Sequence, residues 1–567
     1  MKLHAFAVDG GSPRPETPVP FGGKMYFAAT EGDSSQLWVT DGTVAGTVAV
    51  TSDPTRTEIH YVTPMADKLY FSGCATQSGG PCGQFQAGID GALYASDGTE
   101  GSTSLVADFH PWSPPPFRLT TSGSRLFFNA DVSPGLGAFA YTAAGGVMQL
   151  AYNWESPGDY ADEFNFHFVP FRNGSSLFYA RTAGAGDFGT LWFSDGTPAG
   201  TVTLLPQGAN PQGANPLGRI VVAGATAYFG APCMPGGENC DFVASTGLWK
   251  TDGTVAGTSL SEHLPSTPYE LAVVGPTIYF SAMTTNPCPP DAGPEMQGGC
   301  DLELWTSDGT AGNASVVIDL NSGTASSTPQ QLTAFGDKLL FSADDGTGRK
   351  WFLTDGTAAG TFALSTATPG QCTPFVAGAT IFFCAVDAAG EEPWTSDGTP
   401  AGTARWADLN PGPAGSMPDG FALYGGKVLF SAFEGTTPAL YIADLDGSAP
   451  DGGSDADSGD AGAGEAGAAD DAGPLVDAAK PDTSAPDGGG SVADTGADGV
   501  AEDATTNSDG DATGQGGDSG DSDAAGGSGG GPDDGGCTMT GRSSPSWLTP
   551  LVTLFFLALR RRMRSSS

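Results

Sequence analysis

One eleven-residue stretch constrains this chain more than any other, because it recurs. It reads Leu248-Trp249-Lys250-Thr251-Asp252-Gly253-Thr254-Val255-Ala256-Gly257-Thr258. It returns as Leu37-Trp38-Val39-Thr40-Asp41-Gly42-Thr43-Val44-Ala45-Gly46-Thr47 and as Leu191-Trp192-Phe193-Ser194-Asp195-Gly196-Thr197-Pro198-Ala199-Gly200-Thr201. Looser copies centre on Asp97, Asp308, Asp355 and Asp397, and two degenerate copies are placed by period at Ala144 and Asp444. An aromatic residue stands three positions before each of the nine, and successive copies lie 42 to 57 residues apart. A period of this size belongs to a solenoid, a propeller or an array of one supersecondary unit.

A second motif precedes each tag: a short apolar run such as Met25-Tyr26-Phe27, Ile278-Tyr279-Phe280 or Val428-Leu429-Phe430. Turn pairs such as Gly22-Gly23, Asn173-Gly174 and Gly425-Gly426 come just before most of these runs, with a further apolar segment ahead of them. Apolar runs bounded by Gly, Asn and Asp read as β-hairpins. The tag supplies the other half of the unit. Leu-Trp-x-Ser/Thr has high β-propensity. In Asp-Gly-Thr the carboxylate can accept backbone N–H bonds while Gly takes the positive-φ position. The second Gly-Thr starts a return strand. Four antiparallel strands repeated at this spacing make one blade of a β-propeller, with the recurring aromatics packed between blades.

The expected fold is therefore all-β. It is a single propeller over residues 1–445, with about nine four-stranded blades, or eight if the Ala144 unit or the last unit is absorbed into loops. The stretch Met1–Asp9 resembles the last strand of a repeat, and the final repeat lacks one, so strand 3–8 is expected to complete the last blade and close the ring. The tag aspartates Asp41, Asp97, Asp195, Asp252, Asp308, Asp355 and Asp397 are read as structural turn residues. They resemble the aspartates of the hairpin turns in sialidase propellers, whose role there is structural.

Charge divides the chain. The formal net charge is −42, and residues 446–536 hold 22 acidic residues against the single Lys480. The segment after Cys537 holds five Arg and no acid, which leaves residues 1–445 at −26. Nucleic acid is excluded as a partner, since phosphate binding needs clustered Lys and Arg. Residues 446–536 are mainly Asp, Gly, Ala and Ser with scattered Pro and no aromatic, too little apolar area to offset ordering entropy. They are expected to be a disordered, self-repelling stalk.

Eight cysteines lie in the repeat region as close pairs: Cys74/Cys82, Cys233/Cys240, Cys288/Cys300 and Cys372/Cys384. The spacings fit no zinc pattern. Disulfides are expected, the last pair facing across a hairpin that turns at Gly378, and they imply an oxidising, extracytoplasmic setting. No recognisable signal peptide precedes the first repeat strand, so export requires that the true start lie upstream.

The chain ends with Cys537, a thirteen-residue apolar run from Trp547 to Leu559, and the cluster Arg560-Arg561-Arg562-Met563-Arg564. These three parts, in this order over residues 537–567, resemble the C-terminal sorting signal of myxobacterial surface proteins. The resemblance implies that Cys537 is the processing and anchoring residue, that a sorting protease is a partner, and that the short apolar helix before Arg560, Arg561 and Arg562 is removed. A plain C-terminal membrane anchor is the alternative. The repeats likewise resemble a bacterial family of secreted proteins named for the Glu-Leu-Trp-x-x-Asp-Gly-Thr repeat, seen in full at Glu303-Leu304-Trp305-Thr306-Ser307-Asp308-Gly309-Thr310. The Ala144 copy departs by losing its Asp, the sixth by its shortened Ala311-Gly312 spacing. This resemblance implies a fold and a surface address, not a reaction.

None of His4, His60, His110, His167 and His263 recurs with the repeat, and no nucleophile elbow, zinc-protease helix or phosphate loop is present. The expectation is a non-catalytic binding, adhesion or scaffold module at the cell surface, with a glycan or a protein as ligand, and without cofactor, metal or catalytic residue. The alternative is a carbohydrate-active enzyme, a glycosidase or lyase using loop carboxylates such as Asp159, Asp162, Glu163, Glu391 and Glu392 at the channel mouth.

Overall fold

The structure, a computed structural model, describes residues 1–6, 14–32, 34–50, 56–76, 89–109, 115–131, 136–152, 167–181, 189–204, 219–231, 246–284 and 301–445. These residues form nine antiparallel sheets, eight of four strands and one of five. They make a nine-bladed propeller, which settles the count between eight and nine. In the first blade the strands run Val19–Phe21, Lys24–Glu31, Ser34–Thr40 and Val48–Ala49, adjacent in space as in sequence. The last blade holds Asp419–Tyr424, Lys427–Glu434 and Thr437–Asp444, and its fourth strand is Lys2–Ala5 from the start of the chain.

That N-terminal strand pairs antiparallel with Thr437–Asp444, Ala5 opposite Ala439. Phe6 N–H donates to the Pro438 carbonyl at 2.9 Å. Leu3 and Phe6 pack with Met25, Phe27 and Trp38 of the first blade and with Leu429, Leu440 and Ile442 of the last. The expected closure by the first strand is present over Lys2–Ala5, which removes two unpaired sheet edges at once.

The two sequence motifs meet across the middle strands. Phe27 lies opposite Trp38, Phe71 opposite Tyr94, Phe280 opposite Trp305 and Phe430 opposite Tyr441. Several of these pairs stack, with ring centroids 5.5 to 6.5 Å apart. The third blade departs. Phe128 faces Phe139, while Tyr141 faces Leu126, and strand Leu136–Thr142 returns directly into Gly146–Tyr152. Without its Asp, the Ala144 copy makes a short hairpin where the others make the long tag turn.

The tag turn explains its own sequence. Thr43 N–H and Thr43 Oγ1 both donate to Asp41 Oδ1, at 3.0 and 2.7 Å. Gly42 has φ +83°, and a Cβ on Gly46 would lie 2.0 Å from Asp41 Oδ1. The first Gly thus supplies backbone freedom and the second supplies room for the carboxylate. The same Thr-to-Asp bonds recur at Asp97, Asp195, Asp252, Asp355 and Asp397, and in backbone form at Asp308. The turn also serves the next packing level: Tyr26 Oη of the first blade donates to the Gly98 carbonyl of the second at 3.2 Å.

Cys372 and Cys384 form a disulfide with Cα atoms 5.8 Å apart. The two residues are one position out of register for a directly facing pair, because Ala377 sits opposite Thr380 and Phe375 opposite Phe382. Cys372 reaches its partner because the first strand of this blade is broken into Thr368–Pro369 and Phe375–Ala377. Of the other cysteines, Cys74 lies in strand Lys68–Thr76 with its side chain outside the described residues, and Cys82, Cys233, Cys240, Cys288 and Cys300 lie outside them altogether. So do the acidic stalk, Cys537, the apolar run and Arg560, Arg561 and Arg562.

Candidate functional site

The first strand of each blade touches its counterpart in the next over most of the ring, so these strands form the hub. In seven of the nine blades one residue in or just before this strand is buried between blades: Val62, Leu119, Phe168, Ile220, Leu271, Leu332 and Phe421. The residue just before it occupies a bulge in four blades. Tyr61, Arg118, Gln331 and Gly420 all have φ between +55° and +67°. The pairing register shifts at each of these points. Three of the bulges carry the same brace: the hydroxyl of Thr63, Thr120 or Thr333 donates to the carbonyl of Tyr61, Arg118 or Gln331. Bulges re-aim side chains and are common at rims and sites. Here they turn one side chain per blade away from the interblade core.

A cavity of about 590 Å³ opens on this hub, lined by the first strands of the ninth, first, second and third blades. Its polar wall holds Arg14, Glu16 and Asp419, and Glu16 is in turn held by His60, which is outside the lining. His60 Nδ1 lies 2.8 Å from Glu16 Oε1, and Arg14 lies 3.7 Å from Asp419 Oδ2. Glu16 Oε2 also accepts the Tyr61 N–H at 2.8 Å, which ties the bulge of the second blade to the first. Val19, Val62 and Leu119 supply an apolar flank.

On the wall beyond Leu119, the equivalent positions of the third, fourth and fifth blades are Arg118, His167 and Arg219. Burial and the positive charges of Arg118 and Arg219 hold the His167 imidazolium below its ordinary range. Arg118 and Arg219 thus both act electrostatically on His167, in a ring whose sequence is strongly acidic. Sequence reasoning passed over them because they are about fifty residues apart and no local pattern marks them. The signal that finds them is register, counting back from each hairpin turn to the residue before the buried one.

Carboxylates gather elsewhere. Asp301, Glu303 and Asp319 each bring an oxygen within 4.8 Å of the other two, a donor set of the kind that hard cations accept. Glu303 is already engaged by protein donors: Ser327 Oγ at 2.6 Å, Ser327 N–H at 2.9 Å and Leu320 N–H at 3.3 Å. Glu392, at the matching place two residues before Trp394, accepts Ser416 Oγ at 2.6 Å and Leu409 N–H at 3.0 Å. The shared geometry makes both glutamates clamps on the loop leading to the next blade. Burial raises both carboxyls, that of Glu303 to about 7. Glu391, the other candidate in the described region, accepts the Gln371 N–H at 2.7 Å. Glu391 and Glu392 belong to blade and loop contacts and not to the hub cavity, while Asp159, Asp162 and Glu163 lie outside the described residues. His4 sits at the closure, 3.2 Å from Glu31, and His263 ends an outer strand.

No family model matches the sequence, and neither does any curated protein. Solved structures do match. The β-propeller domain of the trilobed protease from Pyrococcus furiosus is 8% identical, with 68% of this chain and 95% of that one covered and a TM-score of 0.34. A prolyl endopeptidase is 9% identical, with 69% and 48% covered and a TM-score of 0.38. The acylaminoacyl peptidase of Pyrococcus horikoshii is 10% identical, with 68% and 51% covered and a TM-score of 0.34. These neighbours correct the functional expectation. Uniform blades without a recognisable motif suggested a non-catalytic adhesion or scaffold module, with a glycosidase or lyase as the alternative, yet the similar propellers belong to peptidases. Both readings are set aside. The likeness itself concerns the fold alone, and the chain stands as an all-β, nine-bladed propeller.

Proposed function

We propose that this is an exported propeller that takes a peptide-like ligand at the hub of its ring. The observation that carries the reading is the ion-paired cavity. Charges of both signs, Arg14 against Glu16 and Asp419, stand beside an apolar flank on strands that are the inner edges of their sheets. A sheet edge offers backbone donors and acceptors, and an extended peptide offers the complementary set together with charges of both signs. Export is supported by the Cys372–Cys384 disulfide, since such bonds persist in oxidising compartments. The C-terminal order of Cys537, apolar run and Arg560 to Arg562 supports a surface address with a sorting protease as partner, and the complete repeat at Glu303–Thr310 supports membership of the Glu-Leu-Trp-x-x-Asp-Gly-Thr repeat proteins.

The test is calorimetric titration of the full chain with trialanine and with the tripeptide Lys-Ala-Glu, repeated on the double variant Tyr61→Ala, Asp419→Asn. Saturable heats that vanish in the variant support the hub. Absent heats for both peptides, or heats unchanged in the variant, would sink it. The surface address is tested by following Cys537→Ala in cells: retention in the soluble fraction is expected, and unaltered surface display would contradict it.

A further inference from the structure

We infer that Arg14 is the inner latch of the ring: it stands on the first blade, holds the ninth, and makes the charged wall of the hub cavity part of the closing seam. The inference rests on the hub being the recognition surface and adds how an occupant of the cavity acts on the ring.

Position comes first. Arg14 precedes Val19–Phe21, the first strand of the first blade, and its guanidinium reaches three groups of the ninth. It donates to the Met417 carbonyl, lies 3.7 Å from Asp419 Oδ2 and stands 5.7 Å from the centroid of the Phe433 ring. The two backbones come close as well: a Cβ on Gly420 would lie 3.3 Å from the Thr17 Cα. Arg14, Glu16 and Thr17 from the first blade line the cavity, and so do Asp419, Gly420 and Ser431 from the ninth. The cavity therefore straddles the seam, at the hub end of the blade that Lys2–Ala5 completes by pairing with Thr437–Asp444.

The seventh blade shows what Arg14 supplies. In the seventh and ninth blades the loop into the first strand carries a serine clamped by a buried glutamate: Ser327 Oγ on Glu303 and Ser416 Oγ on Glu392, each at 2.6 Å. The next residue in each has positive φ, Thr328 at +49° and Met417 at +46°. Its carbonyl accepts a guanidinium N–H in both. In the seventh blade the donor is Arg349 Nη2, 3.0 Å from the Thr328 carbonyl oxygen and on strand Arg349–Thr354 of the same blade. Arg349 stands three residues before Phe352, the partner of Phe341. The matching residue of the ninth blade, three before Tyr441, is Pro438, which has no donor to offer. The ninth blade thus keeps the acceptor and takes its cation from the first. A brace internal to the seventh blade becomes a bond across the seam.

Linkage follows from this placement. Leu3 and Phe6 pack on Met25, Phe27 and Trp38 of the first blade, so the closing strand is fastened to both blades and the seam opens as one unit. Opening it also breaks the Arg14 contacts. A ligand that touches both blades in the cavity binds the closed ring alone, and at a hundred times its dissociation constant it lowers the open population about a hundredfold. The full chain is followed by hydrogen exchange at Thr437–Asp444 in the original, Arg14→Gln and Arg14→Lys forms, with Ser176–Arg181 of the fourth blade as reference. Arg14→Gln should speed exchange at the seam about tenfold or more, since a hydrogen bond to a charged group contributes roughly that factor, and leave the reference unchanged. Arg14→Lys keeps the charge beside Asp419 and should give a smaller rise, which separates a lost latch from a misfolded chain. The tripeptide Lys-Ala-Glu, at a hundred times its measured dissociation constant, should slow exchange at the seam of the original chain about a hundredfold. The inference is overturned if Arg14→Gln leaves the seam as it was or speeds the reference equally, or if bound peptide leaves the seam unprotected. Where no tripeptide binds, the reading of the cavity falls while Arg14→Gln still decides the latch, so the two fail separately.

Discussion

Phe6→Ala probes the one place where the ring is closed without a chain connection. Phe6 is fully buried. Its ring lies 5.1 Å from Trp38 and 6.2 Å from Phe27 of the first blade, while its N–H bonds to Pro438 of the last. Truncating a buried Phe to Ala costs about 3–5 kcal/mol, the transfer term plus the cavity left behind. The equivalent residues of other blades are Val50, Leu204, Leu364 and Trp406, each donating its N–H to the preceding strand of its own blade. At those sites a turn still tethers the loosened strand. At Phe6 the strand is held to Thr437–Asp444 by noncovalent contacts alone, so the whole cost falls on the seam. With about 1.4 kcal/mol per factor of ten, local opening there should become about a hundredfold to a few thousandfold more frequent. Hydrogen exchange by mass spectrometry reads this directly in the peptide covering Thr437–Asp444. Leu204→Ala serves as the control and should accelerate exchange in its own blade and leave the seam as it was. If Phe6→Ala leaves exchange at Thr437–Asp444 unaltered, or speeds it no more than Leu204→Ala does, the seam is not the weak point and the closure argument fails.

The tag turns give a pH prediction. Bonds from Thr99 and Ser102 hold the Asp97 carboxyl down to about 2. Its folded value lies below the unfolded one, so its contribution is present above about pH 4 and disappears as pH falls toward 2. Urea unfolding should therefore find Asp97→Asn less stable than the original chain at pH 7 and equal to it near pH 2. Glu303 behaves oppositely. With its carboxyl raised from 4.5 to about 7, stability present below pH 4.5 is lost as pH rises through 7. Glu303→Gln should flatten that decline in midpoints measured across the window. Cys372→Ser, Cys384→Ser opens a loop of twelve residues' separation and should lower stability by about 2–3 kcal/mol, seen as a matching effect of dithiothreitol on the original chain.

The turn chemistry was legible in the sequence because it is local. Asp41, Gly42, Thr43 and Gly46 lie within six residues, and their hydrogen bonds involve no other blade. The buried glutamates were less so. Glu392 looked like a loop carboxylate, yet its partners Leu409 and Ser416 come from the loop beyond the next strand, where spacing alone places nothing. The Cys372–Cys384 pair was found from spacing, but the break in the first strand that lets the two meet was not.

The repeating unit, its four strands and its turns could be read from residue order, since strand alternation and Asp-Gly-Thr geometry are settled over a few bonds. The closing strand was legible there too, but which side chains share the hub emerged only from the packing of blade against blade. Arg14 and Asp419, or Glu16 and Tyr61, meet only when blades pack side by side, because each pair joins residues from different blades.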